Sequence, residues 1–184
     1  TVDTTYPLIG YVSSGTETTG SYIPRTNLNV YVNVTAETYL KNLTINLFNS
    51  TQGLNNSVNT TVSSLYNNFT LLTEGIWFFN ATALDYSGNS NSTATYNVTI
   101  DTTYPLIALS TPTANQNLSL RIIRINTTSS DTNFNSSVIN VYNSTGSSVN
   151  STTNTTAGAN VTLTVPADGV YSVNITTTDL AGNT

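Results

Sequence analysis

The chain has 184 residues, and three small polar residue types dominate it, since Thr, Asn and Ser account for 85 of them. Only 13 residues are charged, the net charge is −5, and the chain contains no Cys, His or Met. Thiol and imidazole groups are the usual ligands of zinc and iron and the usual activators of nucleophiles, so this composition argues against an enzyme. The net negative charge also disfavours nucleic acid as a partner.

The apolar residues are enough for a folded core but not for a membrane span. They make up 38% of the chain and are mainly Val, Ile, Leu and Tyr, the types that disordered polar segments lack. The longest strongly apolar run, Ile76–Phe79, is far shorter than the roughly 20 residues that cross a bilayer. We therefore expect a globular protein with no membrane insertion by this segment.

Alternation of apolar and polar residues predicts short β-strands and no helix. In the first half of the chain the residues predicted to face inward are Leu28, Val30, Val32 and Val34; Leu43, Ile45 and Leu47; Phe69 and Leu71; Trp77, Phe79, Ala81 and Ala83; and Ala94, Tyr96, Val98 and Ile100. In the second half they are Ile139 and Val141; Val161, Leu163 and Val165; and Tyr171, Val173 and Ile175. The alternation changes phase between Leu118 and Ile125, which predicts a bulge in that strand.

The chain contains an internal repeat. The segment Asp3–Ile9 recurs letter for letter as Asp101–Ile107, 98 residues later. Farther along, residues 74–89 match residues 168–183 at an offset of 94, so the difference of four residues lies around residues 13–27. The repeat predicts two domains, residues 1–100 and 101–184.

The two copies differ at their ends. After the shared Asp-x-x-Gly-Asn motif, domain 1 continues into a strand, Ser92–Ile100, whereas the sequence of domain 2 stops at Thr184. Domain 2 is therefore predicted to lack its last strand, which leaves a sheet edge prone to pairing with another chain. Either the following stretch of a longer chain or a neighbouring subunit would supply the strand. The candidate donor is the segment Thr1–Val12, through Thr1, Val2, Tyr6, Leu8, Ile9 and Val12.

The motif Asp168-Gly-Val-Tyr171, which opens the penultimate strand, resembles the tyrosine corner of immunoglobulin-like sandwiches. Together with Asp-Thr-Thr-x-Pro at the start of each copy, it makes the chain similar to tandem Ig-like domains of bacterial and archaeal cell-surface proteins. In the first copy Trp77 stands in place of the tyrosine. The resemblance implies an all-β fold of two antiparallel β-sandwiches, the second without its last strand, and an extracellular, cell-surface location. It also favours an archaeal source.

The motif Asn-x-Ser/Thr occurs 17 times, about twice as often as the composition predicts. Within strands these asparagines fall on the outward phase, as a bulky glycan requires. We expect N-linked glycans on Asn33, Asn42, Asn49, Asn55, Asn59, Asn68, Asn80, Asn91, Asn97, Asn117, Asn126, Asn135, Asn143, Asn150, Asn154, Asn160 and Asn174. A carbohydrate coat would also explain how so weakly charged a surface stays soluble. The alternative is a bare surface rich in Asn and Thr.

Three acids are predicted to lie near the domain junction, namely Glu74, Asp101 and Asp179. Together with backbone carbonyls they could bind calcium, which takes oxygen ligands. The alternative for Asp179 and Asp101 is a structural role in turns.

These features favour a structural subunit of an extracellular, N-glycosylated filament, which copies of the chain build head to tail by donating a strand. An excerpt of a tandem-repeat S-layer or adhesin stalk is the alternative. A carbohydrate-binding accessory module is a second alternative, which predicts measurable glycan affinity of the isolated chain.

Overall fold

The computed structural model describes residues 2–184, and every regular element among them is a β-strand. The chain forms two compact units, Thr1–Thr102 (unit 1) and Thr103–Thr184 (unit 2). No helix long and apolar enough to cross a membrane occurs in the described part of the chain. The predicted all-β class is confirmed.

The described residues of unit 1, 2–102, form nine strands in two sheets. They are β1 (Leu8–Tyr11), β2 (Ser21–Ile23), β3 (Leu28–Ala36), β4 (Leu40–Phe48), β5 (Leu54–Thr60), β6 (Ser64–Phe69), β7 (Gly75–Asp85), β8 (Ser90–Ser92) and β9 (Tyr96–Ile100). One sheet has the order β1-β3-β6, and the other has the order β2-β9-β7-β4-β5, with β8 paired to β7. All pairs are antiparallel except β2 with β9, which is parallel.

The core of unit 1 lies between its two sheets and follows the predicted alternation closely. Val30 and Val32 of β3 and Ile45 of β4 are fully buried. The prediction for Leu71 is wrong, because Leu71 is 89% exposed and Leu72 is buried instead. β6 ends at Phe69, and Leu71 has a left-handed backbone with φ of 59°, so strand alternation no longer applies there. Ala94 likewise precedes β9 and is exposed.

Unit 2 contains six strands in two three-stranded sheets. They are β10 (Leu106–Thr111), β11 (Ile122–Ser130), β12 (Phe134–Asn143), β13 (Ser148–Asn154), β14 (Ala159–Thr164) and β15 (Tyr171–Asp179). The sheet orders are β10-β11-β14 and β13-β12-β15, all antiparallel. Ile125, Ile139 and Val141 are fully buried at the centre of the core. Unit 2 is thus a smaller version of unit 1.

The bulge predicted between Leu118 and Ile125 is wrong. β11 begins only at Ile122 and pairs with β14 in continuous register from Ile122 to Thr127. Leu118 and Leu120 lie before the strand and are exposed. The change of phase in the sequence therefore marks the start of the strand.

The corner of the sandwich is built in both units. In unit 2 the Tyr171 hydroxyl donates to the carbonyl oxygen of Ala167 at 2.8 Å. In unit 1 the Trp77 indole N–H donates to the carbonyl oxygen of Thr73 at 2.9 Å, also four residues upstream. The tryptophan therefore preserves the hydrogen bond of the corner with a different donor.

Candidate functional site

In unit 1, β9 covers one edge of β7, and we call this position the seat of β9. β9 runs antiparallel to β7, with Trp77 opposite Val98 and Gly75 opposite Ile100. Val98 and Ile100 are almost completely buried, and Phe79, which lies opposite Tyr96, is fully buried as well. β9 therefore both pairs with β7 and closes the core above it.

An aromatic cluster packs beneath β9. The Tyr11 ring lies 4.4 Å from the Tyr96 ring and 5.7 Å from the Phe79 ring, measured between centroids. The Tyr11 hydroxyl donates to the carbonyl oxygen of Ala94 at 2.8 Å. Burial raises the pKa of Tyr11 to about 12, although a hydrogen bond with Thr93 opposes the shift. Tyr11 therefore packs against both β7 and β9.

The equivalent edge in unit 2 is open. β15 corresponds to β7, and it pairs with β12 on one side. No strand among residues 2–184 pairs with its other side, which we call the open edge (Tyr171–Ile175). Tyr171, Val173 and Ile175 are each partly exposed, whereas the residues 94 positions earlier, Trp77, Phe79 and Ala81, are buried. Among the described residues, β15 therefore has no counterpart of β9.

Apolar residues of the facing sheet are uncovered beside the open edge. Leu106 of β10 is 72% exposed, and Ile107 and Leu109 are also exposed. A cavity of about 470 Å³ lies between Ile107 and Leu109 on one side and Val173 and Ile175 on the other. A second cavity, of about 750 Å³, is bounded by Tyr171 and Val173 and by the loop that contains Leu118. Polar and apolar residues both line these cavities.

In unit 1 an acidic side chain lies next to the end of β9, and unit 2 has an acid at the equivalent position. In unit 1 Glu74 accepts hydrogen bonds from the backbone N–H and the hydroxyl of Thr102, at 3.1 and 2.7 Å, just after β9. The equivalent acid in unit 2, Asp168, forms an ion pair with Arg121 at 2.9 Å. Both side chains of that pair are largely exposed to solvent, so the pair contributes little stability and can rearrange.

The residues predicted to form the donor strand have different positions in unit 1. Ile9 lies in β1, which pairs with β3, and the backbone N–H of Val12 donates to the carbonyl oxygen of Tyr31. Val2, Tyr6 and Leu8 are exposed, Val2 at 93%. Thr1 lies outside the described residues. Val2 and Tyr6 thus lie exposed ahead of β1, whereas Leu8–Val12 already belongs to its own unit, where Leu8 pairs with Ala36.

None of the 17 predicted glycan acceptors is buried. Asn49 and Asn143 also close turns: their Oδ1 atoms accept the backbone N–H groups of Gly53 and Ser147, both at 2.9 Å. This leaves the Nδ2 atom, to which a glycan attaches, out of those bonds. Asn154 differs, because its Nδ2 donates to the carbonyl oxygens of Thr156 and Gly158. Occupancy of these asparagines stays a prediction.

The acids of unit 1 form a cluster that sequence analysis did not anticipate. Asp3, Glu37 and Asp85 offer carboxylate oxygens that all lie within 4.8 Å of one another, close enough to hold a cation. Asp85 is fully buried and accepts hydrogen bonds from the backbone and side-chain N–H groups of Asn89, both at 2.8 Å. Burial raises the pKa of the Asp85 carboxyl, but hydrogen bonds from Asn89, Ser87 and Gly88 outweigh it, and the net shift is downward.

The three acids predicted to bind calcium are distributed as follows. Asp179 lies in unit 2 within 4.8 Å of Asp131, measured between carboxylate oxygens. Asp101 is buried near the end of unit 1, where its backbone N–H donates to the carbonyl oxygen of Ile23. Glu74 belongs to neither group of three close acids found among residues 2–184, and it accepts a hydrogen bond from the Thr102 hydroxyl. The calcium site stays a prediction.

The repeat gives a sequence signal for Glu37 and Asp131, because these two acids occupy equivalent positions 94 residues apart.

No protein-family model and no curated protein matches the chain. Among solved structures, the fibronectin(III)-like modules of CbhA from Clostridium thermocellum are similar over 96% of this chain and 88% of theirs, at 15% identity and a TM-score of 0.48. A tandem repeat from the extending region of a large adhesion protein is 19% identical over 95% of this chain and 45% of its own, with a TM-score of 0.39. A 1.5-MDa bacterial ice-binding adhesin fragment is 12% identical, over 98% and 62%, with a TM-score of 0.40. These similarities concern the fold alone and say nothing about ligands.

Proposed function

We propose that the chain is a structural subunit of an extracellular, N-glycosylated fibre in which a strand from a neighbouring copy completes unit 2. The observation that carries this proposal is the open edge of β15, where the equivalents of buried core residues in unit 1 are partly exposed. Unpaired strand edges with apolar surroundings readily accept another strand. A contact between the open edge of one copy and a different surface of the next does not close on itself, so it builds a filament.

The segment that leads into Asp3 of a second copy is proposed to lie beside the start of β15, next to the open edge. In unit 1 the strand β9 leads into Asp101 and the sequence Asp-Thr-Thr-Tyr-Pro-Leu-Ile, and the same seven residues begin at Asp3. Val2 therefore corresponds to Ile100, which is buried opposite Gly75. Val2 of the second copy would lie opposite Gly169.

The acidic residue next to the end of β9 supports the same alignment of Val2 with Ile100. Thr102 follows β9 by two residues and binds Glu74 through its N–H and its hydroxyl. Thr4 stands at the equivalent position after Val2, and Asp168 stands 94 residues after Glu74. Thr4 of the second copy would therefore bind Asp168, which in unit 2 forms an exposed ion pair with Arg121.

Glycans are part of this proposal. The exposed or half-exposed position of every acceptor asparagine is compatible with a carbohydrate coat, and the scarcity of charged residues calls for another source of solubility. Strands at other sheet edges carry acceptors, such as Asn55 and Asn59 on β5 and Asn150 on β13, where glycans would block unwanted pairing. Peptide mass spectrometry of the native protein tests occupancy, and unmodified asparagine at all 17 positions would remove this part.

The first experiment measures the mass of the native polypeptide after denaturation and complete deglycosylation. A mass near 19.6 kDa supports separate copies that exchange strands. A mass several-fold larger supports the alternative, a stalk built of one continuous chain whose next stretch covers the open edge. That second result would contradict the filament of separate copies.

The second experiment compares two substitutions of exposed residues. Val2→Asp places a charge on a side chain that is 93% exposed, so the fold of unit 1 should be unaffected, but assembly measured by light scattering should weaken by at least tenfold. Leu71→Asp is the matched control, at 89% exposure and away from the proposed contact. Equal assembly of the two variants would contradict the proposed donor.

A further inference from the structure

An exposed tyrosine lies next to a predicted glycan acceptor on the outer face of the β1-β3-β6 sheet. In β6, Tyr66 is 54% exposed and Asn68 is exposed as well, whereas Phe69 is buried in the core. Strand alternation therefore places Tyr66 and Asn68 on the same face, away from the core. Two residues along a strand span about 7 Å, so the tyrosine ring is within reach of the first sugar of a glycan on Asn68.

The contacts of Tyr66 with β3 fix the direction of its ring. Its hydroxyl donates to Oδ1 of Asn29 at 2.8 Å, and Asn29 is the residue directly opposite Asn68 in the pairing of β3 with β6. The ring therefore extends toward the Asn68 end of the face. Tyr31, which lies opposite Tyr66, contacts it edge to face, with the ring centroids 6.1 Å apart. Tyr66 is thus held by two residues of the neighbouring strand while it stays exposed.

The side-chain amide of Asn68 is oriented in a way that is compatible with a glycan. Oδ1 of Asn68 accepts a hydrogen bond from Nδ2 of Asn27 at 3.2 Å. The glycan attaches to the other end of that amide, the Nδ2 atom. Thr70, the third residue of the acceptor motif, follows the end of β6 and is exposed. The ring of Tyr66 and the amide of Asn68 therefore lie side by side on one solvent-exposed face.

Tyr31 has the same spacing from an acceptor, Asn33, but its surroundings differ. A Cβ atom built on Gly15 would come within 2.9 Å of the Tyr31 side chain, so the loop that contains Gly15 already packs against that residue. Tyr31 is partly buried, whereas Tyr66 is exposed. Tyr66 is therefore the tyrosine of this pair with the larger free area to offer to a sugar.

We propose that the Tyr66 ring binds the first sugar of an N-linked glycan on Asn68, and that this contact stabilises folded unit 1. This inference rests on the proposed function, because it requires a glycan on Asn68. A pyranose ring carries C–H groups that form an apolar face, and such a face packs on an exposed aromatic ring. Because Asn29 and Tyr31 of β3 hold the ring in place, the contact is complete only when β3 and β6 are paired.

A double-mutant cycle on the natively glycosylated chain tests this contact. Thr70→Ala removes the acceptor motif and keeps Asn68, and Tyr66→Ser removes the ring. The single tryptophan, Trp77, lies in unit 1, so its fluorescence during denaturant unfolding follows that unit. Thr70→Ala should raise the unfolding equilibrium constant of unit 1 roughly three- to tenfold in the parent and leave it unchanged in the Tyr66→Ser background. The same factor in both backgrounds would overturn the proposal.

Two controls separate this contact from the general effect of a glycan. Tyr66→Phe keeps the ring, so Thr70→Ala should still raise the unfolding equilibrium constant in that background. Thr61→Ala removes the acceptor motif of Asn59 on β5, where Ser57 stands two residues before the asparagine, and its effect should not depend on Tyr66. If the effect of Thr61→Ala depended on Tyr66 just as strongly, a direct contact with the Asn68 glycan would be excluded.

Glycopeptide mass spectrometry of the same samples shows whether Asn68 carries a glycan. Unmodified Asn68 with glycans at other acceptors would overturn this inference and leave the glycan coat of the proposed function standing. Unmodified asparagine at all 17 positions would overturn both.

Discussion

Single residues show that the repeat preserves chemistry more strictly than identity. Trp77 and Tyr171 are different side chains, yet each donates a hydrogen bond to a carbonyl four residues upstream. Asn49 and Asn143 close equivalent turns through the same atom. Gln52 adopts a left-handed backbone with φ of 62° where the second copy has Gly146, at 79°. Each of these positions therefore keeps its hydrogen bond or its backbone angle, even where the side chain differs between the two copies.

The carboxylate of Asp85 should make unit 1 sensitive to acid. Its pKa is lowered in the folded state, so the charged form stabilises unit 1 at pH values above about 4, the ordinary pKa of an unfolded aspartate. That contribution is lost as the pH falls through the folded-state pKa. In urea unfolding at a series of acidic pH values, Asp85→Asn should therefore flatten the loss of stability of unit 1 below pH 4.

The control for this experiment is Asp168→Asn, which changes an exposed acid of unit 2. It should leave the pH dependence of unit 1 as it is in the parent. An unchanged acid slope in Asp85→Asn would show that other groups, including the neighbouring Asp3 and Glu37, carry the acid sensitivity.

At the scale of elements, the difference between the units comes from the edge of a single strand. β7 has neighbours on both sides, whereas β15 has β12 alone among the described strands. The same alternation therefore gives full burial in β7 and partial burial in β15. An inward-facing residue is a core residue only when the neighbouring strand covers it.

Alanine substitutions at equivalent positions of β7 and β15 should reveal this difference. Phe79→Ala should destabilise unit 1 by about 3–5 kcal/mol, because a fully buried aromatic side chain is removed. Val173→Ala should cost unassembled unit 2 only about 1 kcal/mol or less, since Val173 is partly exposed and loses two methyl groups. Denaturant unfolding of each variant measures both values. A larger cost for Val173 in the unassembled chain would mean that β15 is already covered.

At the scale of the whole molecule, the two units should differ in stability. Sixteen buried residues form the core of unit 1, whereas seven form the core of unit 2. Since buried apolar area is the main source of folding free energy, unit 2 should be the weaker unit when it is alone. A strand that binds the folded form of unit 2 should then stabilise it by mass action.

We therefore expect the amides of β11 and β12 in the unassembled chain to exchange faster than those of β3 and β4. On assembly, protection in unit 2 should rise and approach that of unit 1. Native-state hydrogen exchange at a series of denaturant concentrations measures both effects. Slower exchange in unassembled unit 2 than in unit 1 would contradict this expectation.

Much of the fold could be predicted from the sequence, because strand alternation and the repeat are local patterns. Val30, Val32, Ile45 and Phe79 are buried as the alternation predicts, and the absence of a partner for β15 followed from comparing the two copies. Leu71 and Leu118 could not be placed in this way. Each lies where a strand has ended or has not begun, and alternation has no meaning outside a strand.

The same distinction between local sequence patterns and tertiary structure applies to the candidate site. The sequence by itself predicted that β15 has no counterpart of β9 among these residues, that apolar residues line its free edge, and that the 17 asparagines avoid the core, because each follows from period and repeat. Only the tertiary structure brought Asp3, Glu37 and Asp85 together, and only it placed Leu118 across a cavity from Tyr171. Those residues are far apart along the chain, and the packing of two sheets, rather than any local pattern, decides which distant loops meet.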